Sequence, residues 1–218
     1  MKKVSNINEF WGAVIRRDMS SAIREEEIPH SKEELQDYLK KEIERQGKNV
    51  VICNLDVSDI EDLSNLFLID DKYTDHLESL DLSGWKTDHV RYMSGTFTRL
   101  YNLKSINLSG WNTGNVRDIS LMFYDCRKLN ELDLSGWKTD NVRNMHGVFS
   151  NCESLKSLDL SDWDTHNVQY MTHMFYGCRD LKSLDLSGWD TSNVKDMRFM
   201  FDNCPAPYKV VDNKIVRR

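Results

Sequence analysis

The chain has 218 residues, of which 39% are hydrophobic and 29% charged, with a formal net charge of −6 at pH 7. This acidic balance argues against a general phosphate-backbone binder, which carries a basic excess, so direct nucleic-acid binding is not expected. No stretch is long and apolar enough to span a membrane, and Met1 to Phe10 has no apolar run behind its lysines to act as a secretory signal. A soluble protein is therefore expected, cytoplasmic as written, or secreted or on the cell surface if an export segment was trimmed.

Residues 1–49 do not repeat and read as a helical N-terminal cap. A first helix is expected around Asn8 to Glu26, with Phe10, Trp11, Val14 and Ile15 on one face and Pro29 after its end. In the second, Ser31 and Glu34 form a capping box, Leu35, Tyr38, Leu39 and Ile43 a stripe, and Gly47 a stop.

Residues 50–76 read as a degenerate capping repeat, in which Ile60, Leu63 and Phe67 stand where Val90, Met93 and Phe97 stand later. The step from Phe67 to Leu77 is four residues longer than the step from Phe97 to Leu103, which places an insertion near Asp70 to Thr74.

From 77 to 207 the chain repeats. Trp85, Trp111, Trp137, Trp163 and Trp189 fall 26 residues apart, inside a unit best seen at 181–206. A unit of this length cannot bury its apolar face alone and must stack on its neighbours. Leu-x-x-Leu-x-Leu alternates with period two and predicts a short strand with inward leucines. Val194, Met197, Met200, Phe201 and Cys204, at offsets of 0, 3, 6, 7 and 10, predict one face of a short helix. The expected fold is an α/β leucine-rich-repeat solenoid of about five strand–helix coils. Strands pack about 4.7–4.9 Å apart and helices about 8–10 Å apart, which would curve the stack with its strands on the concave side. Residues 208–218 read as a C-terminal strand cap and tail, with Tyr208 to Val211 as a last strand.

Four of the five cysteines, Cys126, Cys152, Cys178 and Cys204, share the register of Leu100. A position that accepts leucine is a core slot for a small hydrophobe. Zinc would want closer pairs, and a disulfide Cβ atoms about 3.5–4.5 Å apart.

The run Leu184 to Phe201 and its four sister runs resemble the BspA-like leucine-rich-repeat surface proteins of bacteria, a group that includes a Mycoplasma-type domain of unknown function. The resemblance covers about residues 55–207 and extends to the helix from Ser31 to Gly47. It implies a non-enzymatic protein involved in adhesion or in binding host or partner proteins.

Outward strand positions can be read directly. The central row is Val51, Asp81, Asn107, Asp133, Asp159, Asp185 and Val211, flanked by Ser83, Ser109, Ser135, Ser161 and Ser187 on one side and by Ser79, Ser105, Glu131, Ser157 and Ser183 on the other. Neighbouring carboxylates about 5 Å apart repel by about 1 kcal/mol per pair in water. One reading of Asp81, Asn107, Asp133, Asp159, Asp185 and Glu131 is a groove for a basic segment of another protein, with or without a metal ion. The other is local hydrogen bonding within each Asp-x-Ser. A second, mostly basic row, Arg91, Arg117, Arg143, Gln169 and Lys195, would form a positive ridge on the helical side, diluted by Asp118 and Asp196. The threonines at 87, 113, 139, 165 and 191, with His89 and the asparagines at 115, 141, 167 and 193, are expected to satisfy loop backbone groups.

The six histidines share no register, and no H-E-x-x-H, P-loop or G-x-S-x-G pattern is present. The sequence thus points to a monomeric, non-enzymatic protein-binding module without cofactor or resident metal. It would act as an adhesin or virulence-associated surface protein, or as an intracellular inhibitor or effector, such as one encoded by a phage or mobile element, that blocks a basic partner site.

Overall fold

The computed structural model describes residues 28–217. The first expected helix lies outside the described residues. Helix α1, Lys32–Gln46, begins where its capping box places it. The Ser31 hydroxyl accepts the Glu34 N–H at 3.2 Å, and the Glu34 carboxylate accepts the His30 N–H at 2.8 Å. Leu35, Leu39 and Ile43 are fully buried. At its end, the Gln46 side chain takes the Val51 N–H at 2.8 Å and donates to the Val51 carbonyl at 3.1 Å. That covers the outer edge of β1, Asn49–Val51, which would otherwise present unpaired backbone groups. The insertion holds a single helical turn, α2 (Asp71–Thr74), with Asp70 as its N-cap.

The chain then advances in coils of 26 residues. Strands β2 (Ser79–Asp81) and β3 (Ser105–Asn107) follow β1 in a parallel sheet of order β1-β2-β3. Strands β4 (Ser157–Asp159) and β5 (Ser183–Asp185) form a second parallel pair. Equivalent residues of successive coils face each other, Leu80 opposite Ile106 and Leu158 opposite Leu184. Glu131 bridges back to Ser105, and no strand pairing joins it to Ser157 among the described residues. A second row of contacts is unbroken: single-residue parallel bridges link Asp62, Tyr92, Asp118, Asn144, Tyr170 and Asp196 in succession.

The segment after each tryptophan differs from expectation. Its apolar offsets fit a helix, but it folds as consecutive turns. Two positions per coil take the left-handed backbone conformation. One is Gly95, Leu121, Gly147, His173 and Phe199; the other is Arg99, Asp125, Asn151, Gly177 and Asn203. A left-handed residue every fourth position forbids a helix and turns alternate N–H groups toward the next coil. Phe97, Phe123 and Phe149 donate to the carbonyls of Met122, Val148 and Met174 at 2.9, 2.9 and 3.0 Å, and the left-handed residues before Phe199 do likewise. The turn side is therefore hydrogen-bonded backbone to backbone along the stack, as the strand side is except between Glu131 and Ser157, and the wider helix spacing expected to curve the stack is absent.

The core lies between these two sides. Phe67, Phe97, Phe123, Phe149, Phe175 and Phe201 follow one another with ring centroids 5.4–5.9 Å apart, Phe67 tilted by 36° to Phe97 and the rest stacked. Trp85 stacks on Trp111 at 5.6 Å and Trp137 on Trp163 at 6.5 Å. Indole N–H groups reach back one coil, Trp111 to the Leu82 carbonyl at 2.7 Å and Trp189 to that of Leu160 at 2.9 Å. Strand β6, Tyr208–Val211, is not a last rung. It pairs antiparallel with β7, Lys214–Arg217, across a tight turn in which Asp212 and Asn213 both have positive φ. Val211 therefore leaves the strand-face row. Tyr208 closes the phenylalanine stack, 6.1 Å from Phe201.

Candidate functional site

On the strand face the aspartates of the central row and Asn107 engage their own coil first. The carboxylates of Asp81, Asp133, Asp159 and Asp185, and the amide oxygen of Asn107, accept the backbone N–H of the serine two residues on at 2.9–3.1 Å. Ser161 adds its hydroxyl to Asp159 at 2.7 Å, and these two donors hold the Asp159 carboxyl below its usual range. The local reading of Asp-x-Ser thus has its hydrogen bonds in place. The row is not uniform in exposure. Asp81 is only 1% exposed, which removes it from any partner-binding face, and Asn107 is half-buried. Glu131, Asp133, Asp159 and Asp185 are exposed. Asp159 and Asp185 are register partners, so their side chains stand one strand spacing apart. No ion pair reaches these four carboxylates among the described residues, whereas Asp56, Glu78, Asp125 and Asp196 are each paired with lysine or arginine.

The basic row keeps its register without a helix. The N–H groups of Arg117, Arg143, Gln169 and Lys195 donate to the carbonyls of Arg91, Arg117, Arg143 and Gln169 at 2.8–2.9 Å, so the side chains form a file along the stack. Arg91, Arg117, Arg143 and Lys195 are exposed. Arg91 leans toward Glu61 at 3.8 Å, and Lys195 donates to the Gln169 amide oxygen at 2.9 Å. Asp196 is taken by Arg198 instead, which holds its carboxyl at about 2.

The threonine and asparagine ladders do satisfy backbone groups. Thr113 donates to the Lys138 carbonyl at 3.0 Å and accepts the Lys138 N–H at 2.8 Å. Asn141 and Asn167 each donate to a carbonyl of the preceding coil at 2.7 Å. The register cysteines are buried, with Cys126, Cys152 and Cys178 donating to phenylalanine carbonyls of the previous coil at 3.0–3.2 Å. Burial pushes these thiols far up, so they are poor thiolate nucleophiles.

One site escaped the sequence. On the turn side a recess of about 560 Å³ gathers Tyr124, His146, His173, Tyr176, Phe199 and Asp202 from successive coils. The His173 ring lies 5.1 Å from that of Phe199, 5.6 Å from Tyr176 and 5.7 Å, edge-on, from His146. His146 Nδ1 hydrogen-bonds the Thr172 hydroxyl. Burial, with the neighbouring His173, lowers the His146 pKa. The two histidines are 27 residues apart, one off the repeat, so a search by register does not pair them.

A family model described as "Mycoplasma protein of unknown function, DUF285" matches residues 37–154 and again 129–213, which together span most of the chain. The chain belongs to the DUF285 family. Both DUF285 matches run through the coils, and the first begins within α1. No curated protein matches the chain. Among the described residues of this DUF285 chain, no helix is long and apolar enough to cross a membrane, and no group of three or more histidine, cysteine or acidic residues could hold a metal ion.

Proposed function

We propose that this chain is a non-enzymatic protein-binding module, a leucine-rich-repeat-type solenoid of the BspA-like group, whose strand face takes a basic, extended segment of another protein. The observation that carries this reading is the exposed set Glu131, Asp133, Asp159 and Asp185, which has no cationic partner among the described residues, whereas Asp56, Glu78, Asp125 and Asp196 do. Asp159 and Asp185, register partners one strand spacing apart, repel each other, and a ligand of opposite charge that follows that spacing relieves the repulsion. The burial of Cys126, Cys152 and Cys178, which pushes their thiols up, adds support, since it leaves these three unsuited to nucleophilic work. The resemblance suggests an adhesin. The net charge of −6 also suits an inhibitor that fills a basic channel.

The test is a titration with an oligolysine peptide, run in parallel with capture of partners from host and bacterial lysates. The triple variant Asp133→Lys, Asp159→Lys, Asp185→Lys should lose oligolysine binding, and wild-type binding should weaken as salt rises. A folded triple variant that still binds the peptide as the wild type does would remove the strand face from consideration.

A further inference from the structure

The turn-side recess lies apart from the strand-face row, and its chemistry differs. Half of its lining residues carry rings, Tyr124, Tyr176, Phe199, His173 and His146, the last set edge-on to His173. Asp202 lines it, and no lysine or arginine does. Phe199 is 53% exposed although it occupies the left-handed register position, at φ 59°, where two other coils have Gly95 and Gly147. For an L-residue that conformation costs about 1–2 kcal/mol, and a half-exposed ring recovers little of it by burial. Leu121 and His173 accept the same conformation and also line the recess. Three bulky side chains thus sit where the backbone favours glycine and converge on one cavity. Folding gives little return for the Phe199 ring in this place, whereas a ligand stacked on it would.

Ring faces carry negative charge density and attract cations desolvated against them. Asp202 adds a carboxylate at the wall. An anion would meet that carboxylate and the ring faces with no lysine or arginine to compensate. The recess is open to solvent on one side, so it would take a small group stacked on the rings and not one fully enclosed. We propose that the recess binds an organic ammonium cation, with methylene or methyl groups around the charge to fill the space between the rings. A lysine side chain of another protein, methylated or not, and a small quaternary amine share this chemistry.

The full chain would be titrated at constant ionic strength with three probes: choline, its uncharged carbon isostere dimethylbutanol, and a peptide carrying one trimethyllysine. Binding would be read by calorimetry and by the imidazole proton resonances of His146 and His173. Saturable binding of the ammonium probes is expected, with both imidazoles shifting and the isostere binding about tenfold more weakly. Tighter binding of the peptide would assign the site to protein lysines, and tighter binding of choline to a free amine. Equal binding of isostere and choline, or no saturable binding of either ammonium probe, would overturn the proposal. Phe199→Gly relieves the left-handed backbone, so it should melt near the wild-type temperature while weakening ammonium binding about tenfold. Asp202→Asn, which keeps the side chain's shape, should also weaken it. Unchanged affinity in both folded variants would equally sink the assignment.

Discussion

The strand side and the turn side of each coil hold their neighbours along the stack differently. On the strand side, outward polar residues recur from coil to coil, Asp closing its hydrogen bond on the serine two residues on and Thr, at the corner, reaching the next coil's backbone. On the turn side the backbone itself makes the ladder, the phenylalanine rings fill the space behind it, and the outward residues at the left-handed positions change from glycine to leucine, histidine and phenylalanine. The difference teaches that repetition marks the parts that build the coil. Variation on a fixed backbone is where a coil acquires a particular surface.

The sharpest way to break this contrast is to empty the turn-side core. Phe149 is fully buried between Phe123 and Phe175, so Phe149→Ala should cost about 3–5 kcal/mol in a denaturant titration. A loss below about 1 kcal/mol would mean that the ring stack is not what holds the coils. On the strand side's outgoing corner, Thr113→Val leaves the Lys138 N–H and carbonyl without their partner and should cost about 1–3 kcal/mol, less than the ring. The smallest effect belongs to the recess. His146 has its pKa lowered by burial, so the unfolded chain, with an ordinary value of about 6.5, binds the proton more readily than the folded one. The Asp118 and Asp196 carboxylates oppose this shift without reversing it. Stability is then full above about pH 6.5 and declines as pH falls from there toward the folded-state pKa. Thermal melts of His146→Gln should show a flatter dependence between pH 7 and 5 than the wild type; equal slopes would show that the imidazole does not titrate as a buried group.

Much of this was legible from residues. The tryptophan period gave the coil length, the shared slot of Leu100 and four cysteines marked a buried position, and Ser31, Glu34 and Gly47 bounded α1. The turn side was misread because residues at offsets of 3, 6, 7 and 10 fall on one face of either a helix or a series of turns. Gly95, Gly147, Asn151, Gly177 and Asn203 were the available signal, since glycine and asparagine tolerate a left-handed backbone that a helix has no use for. The burial of Asp81 is a property of its surroundings that its own repeat position does not encode. The recess needed both a backbone conformation and a one-residue offset between His146 and His173, neither of which appears in a register alignment.

The interruption of strand pairing between Glu131 and Ser157 has a mechanical meaning. The turn-side ladder passes that point without a gap, from Met145 to Tyr170 and from Phe149 to Met174. The molecule is thus built like a bound volume whose spine is continuous while its pages are sewn in two gatherings. Opening the strand face at that seam would break no strand pairing, whereas opening the turn side at the same level would break the backbone ladder.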